Sequence, residues 1–255
     1  MLVALGFAIL SWAAPAAVPP AADQLVTMLK TIDDRQQNSG DWTSLVYIEQ
    51  TEQGKSDLVY QAVVYRRDET DKLAILFTKP QSEAGKGYLR VDNNLFFYDP
   101  AVGKWERRTE RERIGGTDGN RQDFDQSRLA EEYDPAWVGA EALQTYKVDH
   151  LKLTGKTGVD VAYPTVELWL DQATGNVLKR QDFALSGKLM RTTYYPAWNK
   201  LFSESKGAEI YFPKEIRIFD EVQKGNQTTV AIQQVDLKTL DDAIFTKAYL
   251  ESKSR

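Results

Sequence analysis

The chain has one histidine, His150, and no cysteine. A histidine base needs a positioned partner, and His150 lies inside a strand-like stretch, Tyr146–Thr154, where it packs on or beside a sheet. With this one His and no G-x-S-x-G turn, a Ser-His-Asp nucleophile has nothing to build on. Zinc sites draw on several His or Cys, and neither a P-loop nor a G-x-G-x-x-G is present. The 37 Asp and Glu leave a two-carboxylate glycosidase open by counting alone, yet carboxylates on hairpin turns are ordinarily solvated turn residues. Asp118, Asp123 and Asp125, near Gly119, miss the EF-hand spacing and its terminal Glu, so they read as loop solvation. The expectation is a protein that is not an enzyme, with no cofactor and no metal.

What the chain holds in quantity is apolar strand surface. Asp57–Arg66 reads DLVYQAVVYR. Leu58, Tyr60, Ala62 and Val64 fall on one face; Val59, Val63 and Tyr65 fall on the other. Leu73–Thr78 and Leu95–Tyr98 repeat the pattern. An antiparallel sheet ordinarily needs one dry face, so two require a second sheet, a helical layer or an apolar ligand.

The elements that position these residues are mostly hairpins. Asp23–Asp33 carries Leu25, Met28, Leu29 and Ile32 at helical spacing, with Asp23 as N-cap. Strand patterns follow at 43–51, 58–66, 73–78, 88–91, 95–98 and 105–108. A charged, then Gly-rich loop spans Glu110–Gly119, and Phe124–Glu132 reads as a short helix. Strands resume at 146–154, 164–171, 177–184, 189–195, 210–220 and 228–237, and Asp241–Glu251 is a helix or turn. Tight turns join the strands without the long helices that parallel sheets need. The fold class is mainly β (α+β): one strongly curved antiparallel sheet, an incomplete barrel with a few helices plugging its open face. Such a sheet leaves a cavity lined by alternating apolar side chains.

Charge and compartment narrow the partners. The net charge is −5 with the basic residues scattered, whereas nucleic-acid binding needs them concentrated. The first 22 residues carry no charge, and Leu2–Trp12 is an apolar run followed by small residues around Ala14-Pro15-Ala16. This reads as a cleavable secretory signal over residues 1–22, with an uncleaved apolar anchor as the alternative, followed by a single domain over 23–255. A disulfide-free exported chain fits the bacterial periplasm.

Three segments in order resemble a known family. They are Gly87-Tyr88-Leu89-Arg90 with Asn94-Leu95-Phe96-Phe97-Tyr98-Asp99-Pro100 and Trp105–Arg108; Asp123-Phe124-Asp125 through Leu129 with Glu132-Tyr133; and Phe245-Thr246-Lys247-Ala248-Tyr249-Leu250. Together they resemble the outer-membrane lipoprotein-sorting proteins, similar to the periplasmic carriers LolA and LolB. The resemblance implies a half-barrel with helices at its open face. It also implies a carrier for lipoprotein or lipid acyl chains, and an inner-membrane exporter and outer-membrane acceptor as partners. Lacking a lipidated Cys, the chain resembles the soluble carrier, and a monomer is expected. The alternative is an envelope adaptor that binds a partner protein through an edge strand or exposed aromatics.

For the cavity, each strand contributes the apolar set opposite its charged residues: Val46 and Ile48; Val166, Leu168 and Leu170; Ile216 and Ile218. The two-faced strands add Val64, Ile75 and Phe97. Alternation does not say which face is concave, and core packing is the other fate of such positions. The lid is read as Met28, Leu29, Phe124 and Leu129. On this reading Leu168→Glu abolishes uptake without changing the fold.

Overall fold

The computed structural model describes residues 18–36, 40–91, 94–108, 127–204 and 206–254. Helix α1 (Ala22–Gln36) opens the described chain. Asp23 lies inside its first turn rather than capping it; the Gln24 side chain instead accepts from the Ala21 N–H at 2.9 Å. Of the predicted stripe, Leu25, Leu29 and Ile32 are buried and Met28 is half-buried beside them.

Thirteen strands follow in one antiparallel sheet. The first six are β1 (Asp41–Thr51), β2 (Leu58–Arg67), β3 (Lys72–Lys79), β4 (Gly87–Val91), β5 (Asn94–Asp99) and β6 (Lys104–Arg108). After the one-turn helix α2 (Leu129–Glu132) come β7 (Tyr133–Leu143), β8 (Tyr146–Gly155), β9 (Thr165–Asp171), β10 (Val177–Phe183), β11 (Leu189–Ser203), β12 (Ala208–Asp220) and β13 (Gln227–Asp236). A 3₁₀ turn (Asp242–Phe245) and α3 (Lys247–Lys253) end the fold. Each strand pairs with its neighbours in sequence, except that β1 pairs with β13 and β6 and β7 are the two edges. The sheet is not closed into a barrel.

Most predicted strands appear within a few residues of their expected bounds. β7 was not expected, because Pro135, Gly139 and its alanines lack the β-branched alternation that marks strands. It is an edge strand, the position where a proline is tolerated. β11 runs on to Ser203 through register shifts near Ala197, well past the predicted end at Tyr195. Of the expected helix Phe124–Glu132 the described residues hold α2; residues 121–126, and with them Phe124, lie outside the described part, as does the stretch Glu110–Gly119 expected to be a loop.

Each dry face has its own cover. On the inner face α1 and α2 lie over β7–β10, where Leu25, Leu29, Ile32 and Leu129 pack on Leu151, Leu153, Val166, Leu168 and Leu170. On the outer face the C-terminal segment packs over β3–β6: Phe245 and Leu250 join Ala74 and Leu89, with Leu76, Tyr98 and Trp105 beside them. Gly87 permits this approach, because a Cβ there would stand 2.5 Å from the Ile75 carbonyl oxygen and 2.9 Å from Leu250 Cδ2. The segment is tied down by Asp41, which takes a two-pronged bond from Arg67 (2.9 Å to each oxygen) and another from the Leu240 N–H at 2.6 Å. Arg67 also pairs with Asp242.

Candidate functional site: a cavity on the inner face

The inner face of β1–β5 carries a second apolar cluster, built on Val46, Ile48, Ala62, Val64, Leu73, Ile75 and Phe77. Between this cluster and the helix-covered half lies a cavity of about 410 Å³. Its volume sits at the low end of the ~300–1,000 Å³ typical of ligand pockets. Side chains of α1, α2, β1–β3 and β10–β13 line it, so one sheet wraps around it from both directions.

The ladder register places all ten sequence-chosen sheet residues on this inner face. Val64 faces Ile75, Ile75 faces Tyr88, and Tyr88 faces Phe97. Ile48 faces Val230, which faces Ile216. Ile218 faces Thr193, Thr193 faces Arg180, and Arg180 faces Leu168. Sharing a face is not sharing the cavity, however. Val46, Ile48, Val64, Ile75, Ile216 and Ile218 line it, as does Leu129. Val166, Leu168 and Leu170 are instead sealed beneath α1, because the helix stripe lands on β8 and β9. Leu168 is 1% exposed, so the charge of Leu168→Glu would fall in the helix–sheet core rather than in the cavity. Phe97 sits beyond the cavity's end, its ring 5.0 Å from that of Tyr88 with the Arg108 guanidinium 4.7 Å above it. Leu29 is fully buried in the helix–sheet core and Met28 packs against it; neither lines the cavity. From α1 the lining residues are Ile32 and Arg35.

The cavity wall is not wholly apolar. On β10 and β11, Arg180 Nε donates to Asp182 at 2.7 Å and Arg191 Nε to its other oxygen at 3.0 Å. Burial works against the Arg180 charge, but Asp182 outweighs it and the pKa stands above the usual arginine value. Glu132 also lines the cavity. Burial is the largest influence on it and raises its pKa, with Arg128 pulling down and Asp33 pushing up. Burial likewise pushes the Tyr133 phenol up to about 12. At the other end, on β2, Arg66 donates to Asp68 at 3.0 Å and to Asp71 at 2.6 Å. Two hydroxyls facing the cavity, Ser44 Oγ and Thr193 Oγ1, are buried with no hydrogen-bond partner among the described residues.

Choosing the apolar set opposite each strand's charges could not find these polar groups, since it discards charged residues by construction. The available signal was Arg180 and Asp182 two apart in VLKRQDF, which puts both on the face that carries Val166 and Leu168 next door. His150 lies on the outer face, stacked on Trp169 with centroids 4.1 Å apart and 3.1 Å from Glu167, away from the cavity.

Comparison with known proteins places this geometry. A family model described as "-like: Uncharacterized protein" matches residues 69–252. No curated protein matches the chain. Among solved structures, a LolA superfamily protein from Nitrosomonas europaea is 23% identical, with 91% of this chain and all of that one covered at a TM-score of 0.70. A putative outer-membrane lipoprotein-sorting domain from Vibrio parahaemolyticus is 17% identical at 0.77, covering 91% of this chain and 100% of that one. A DUF1329 family protein from Desulfovibrio piger is 18% identical at 0.76, covering 90% and 98%. The chain therefore belongs to the family of the matched model, and its fold is that of the LolA superfamily and the lipoprotein-sorting domain.

Proposed function

We propose that this protein is a periplasmic carrier that takes an acyl chain of a lipid or lipoprotein into the inner-face cavity and moves it towards the outer membrane. The observation that carries the reading is the 410 Å³ cavity itself, left where the helices cover only the β7–β10 half of a largely apolar face. Burying hydrocarbon in such a space is favourable by roughly 0.8 kcal/mol per methylene. At the ~30 Å³ that one water occupies in the liquid, the cavity takes a single chain of modest length. Carriage needs no catalytic group, only apolar area and a cover that opens; α1 and α2 are the candidates. An exporter and an acceptor would supply the two membranes, and cleavage within residues 1–22 would deliver the chain. The adaptor alternative needs an open apolar patch, whereas Val46, Ile48, Val64, Ile75 and Ile218 are only 2–8% exposed. Mass spectrometry of protein extracted natively is expected to find acyl-bearing lipid or lipoprotein, and a fluorescent fatty acid to be taken up and displaced. Protein that carries no lipid and takes up no fatty acid would sink the proposal.

A further inference from the structure

Beside the hydrocarbon wall the cavity holds donors that hydrocarbon cannot satisfy. Arg180 and Thr193 are direct cross-strand neighbours, and both line the cavity. Arg180 spends only its Nε, on Asp182; its two terminal nitrogens have no hydrogen-bond partner among the described residues. Asp182 is fully buried and shares its other oxygen with Arg191, so it does not reach round to those nitrogens. The neighbouring hydroxyl, Thr193 Oγ1, is buried without a partner on a residue 3% exposed. A bond left unmade at a buried hydroxyl is costly, and buried polar groups are rarely left so; the Arg180 side chain is 25% exposed, so its terminal nitrogens are open to a ligand. Immediately across β11–β12, Thr193 faces Ile218, so the polar pair adjoins the apolar wall.

We propose that Arg180 and Thr193 seat the anionic end of the ligand, a carboxylate or a phosphate, while its tail runs along the wall of β1–β3 and β12–β13. The inference rests on the acyl-binding reading above and adds the class of ligand: a single-chain anionic amphiphile. A guanidinium offers a planar pair of N–H groups that matches carboxylate and phosphate geometry, and the threonine hydroxyl supplies a third donor. Glu132, Asp68 and Asp160 are the other carboxylates on the cavity wall; burial raises the Glu132 pKa, and Asp68 accepts from Arg66.

The test uses the purified, delipidated protein loaded with the uncharged probe N-phenyl-1-naphthylamine. Hexadecanoate, hexadecyl phosphate and hexadecanol displace it below their micelle-forming concentrations. In the wild type, the two anions are expected to displace the probe at concentrations about tenfold lower than the alcohol, the scale of one charge-assisted bond. Whichever anion is stronger identifies the source as carboxylate or phosphate. In Arg180→Gln the anion-to-alcohol ratio falls to near one, and in Thr193→Val it falls part of the way. Arg180→Lys keeps a charge for Asp182 but loses the fork, and retains a reduced preference; it serves if Arg180→Gln does not fold. Equal displacement by all three compounds in the wild type, or a preference that survives Arg180→Gln, overturns the anion seat and leaves the carrier intact. A probe that never enters, with no displacement by any compound, overturns the carrier and the seat together.

Discussion

Leu168 and Ile48 share one face of one sheet, yet their substitutions report on different things. Leu168 lies under α1 in close-packed core, so Leu168→Ala is expected to cost about 2–5 kcal/mol by leaving a hole the helix cannot close. Ile48 borders space that is already empty. Ile48→Phe adds hydrocarbon to that space, so it is expected to hold or raise the melting temperature while weakening acyl-probe binding about tenfold or more. Paired thermal melts and probe titrations check both. A Phe that destabilised the fold and left uptake untouched would remove β1 from the ligand's path. The two positions look alike in sequence, each a branched apolar residue alternating with Glu49 or Glu167. What separates them is where one helix comes to rest, and strand alternation carries no information about that.

At the scale of elements, the C-terminal segment accounts for one of the two dry faces. Its residues Phe245 and Leu250 belong to the sequence signature, and they land on Leu89 and against Gly87, which belong to another part of it. The resemblance was thus legible as short motifs, while their mutual contact was not. Asp41 holds this segment to the strand ends. Burial acts to raise its pKa, but the Arg67 fork and the Leu240 N–H outweigh it and hold the carboxyl below the usual aspartate value. A group lowered in the folded state contributes stability above the unfolded value of about 3.9 and loses it as pH falls through the folded value. Asp41→Asn is therefore expected to lower the urea midpoint at pH 7, with the gap from wild type narrowing below about pH 3.9. A gap constant with pH would mean that the charge on Asp41 does not contribute. β7 illustrates the opposite limit of legibility. Its Pro135 and Gly139 argue locally against a strand, and pairing with β8 overrides them.

At the scale of the molecule, the reading of one curved antiparallel sheet holds because most hairpins are local and announced by their turns, β7–β8 excepted. The pairing of β1 with β13 is different: no turn signals it, and it joins residues almost two hundred positions apart. Its consequence is temporal. A chain that emerges N-terminus first can build β1–β6 and then β7–β12 as two meanders of neighbouring strands, but β1 keeps an unpaired edge until nearly the whole chain is out. Non-local pairings of this sort are slow to form, and open edges invite association with other chains. A chain ended before Gln227 is expected to elute as aggregate and to show no cooperative thermal transition; a monomeric product with a sharp melt would show that the halves stand alone. The cavity is walled from both sides of that seam, by Ile48 on β1 and by Val230 on β13. No chain lacking β13 can offer the finished cavity, so on the carrier proposal the capacity to hold cargo arrives only when β13 closes the seam with β1.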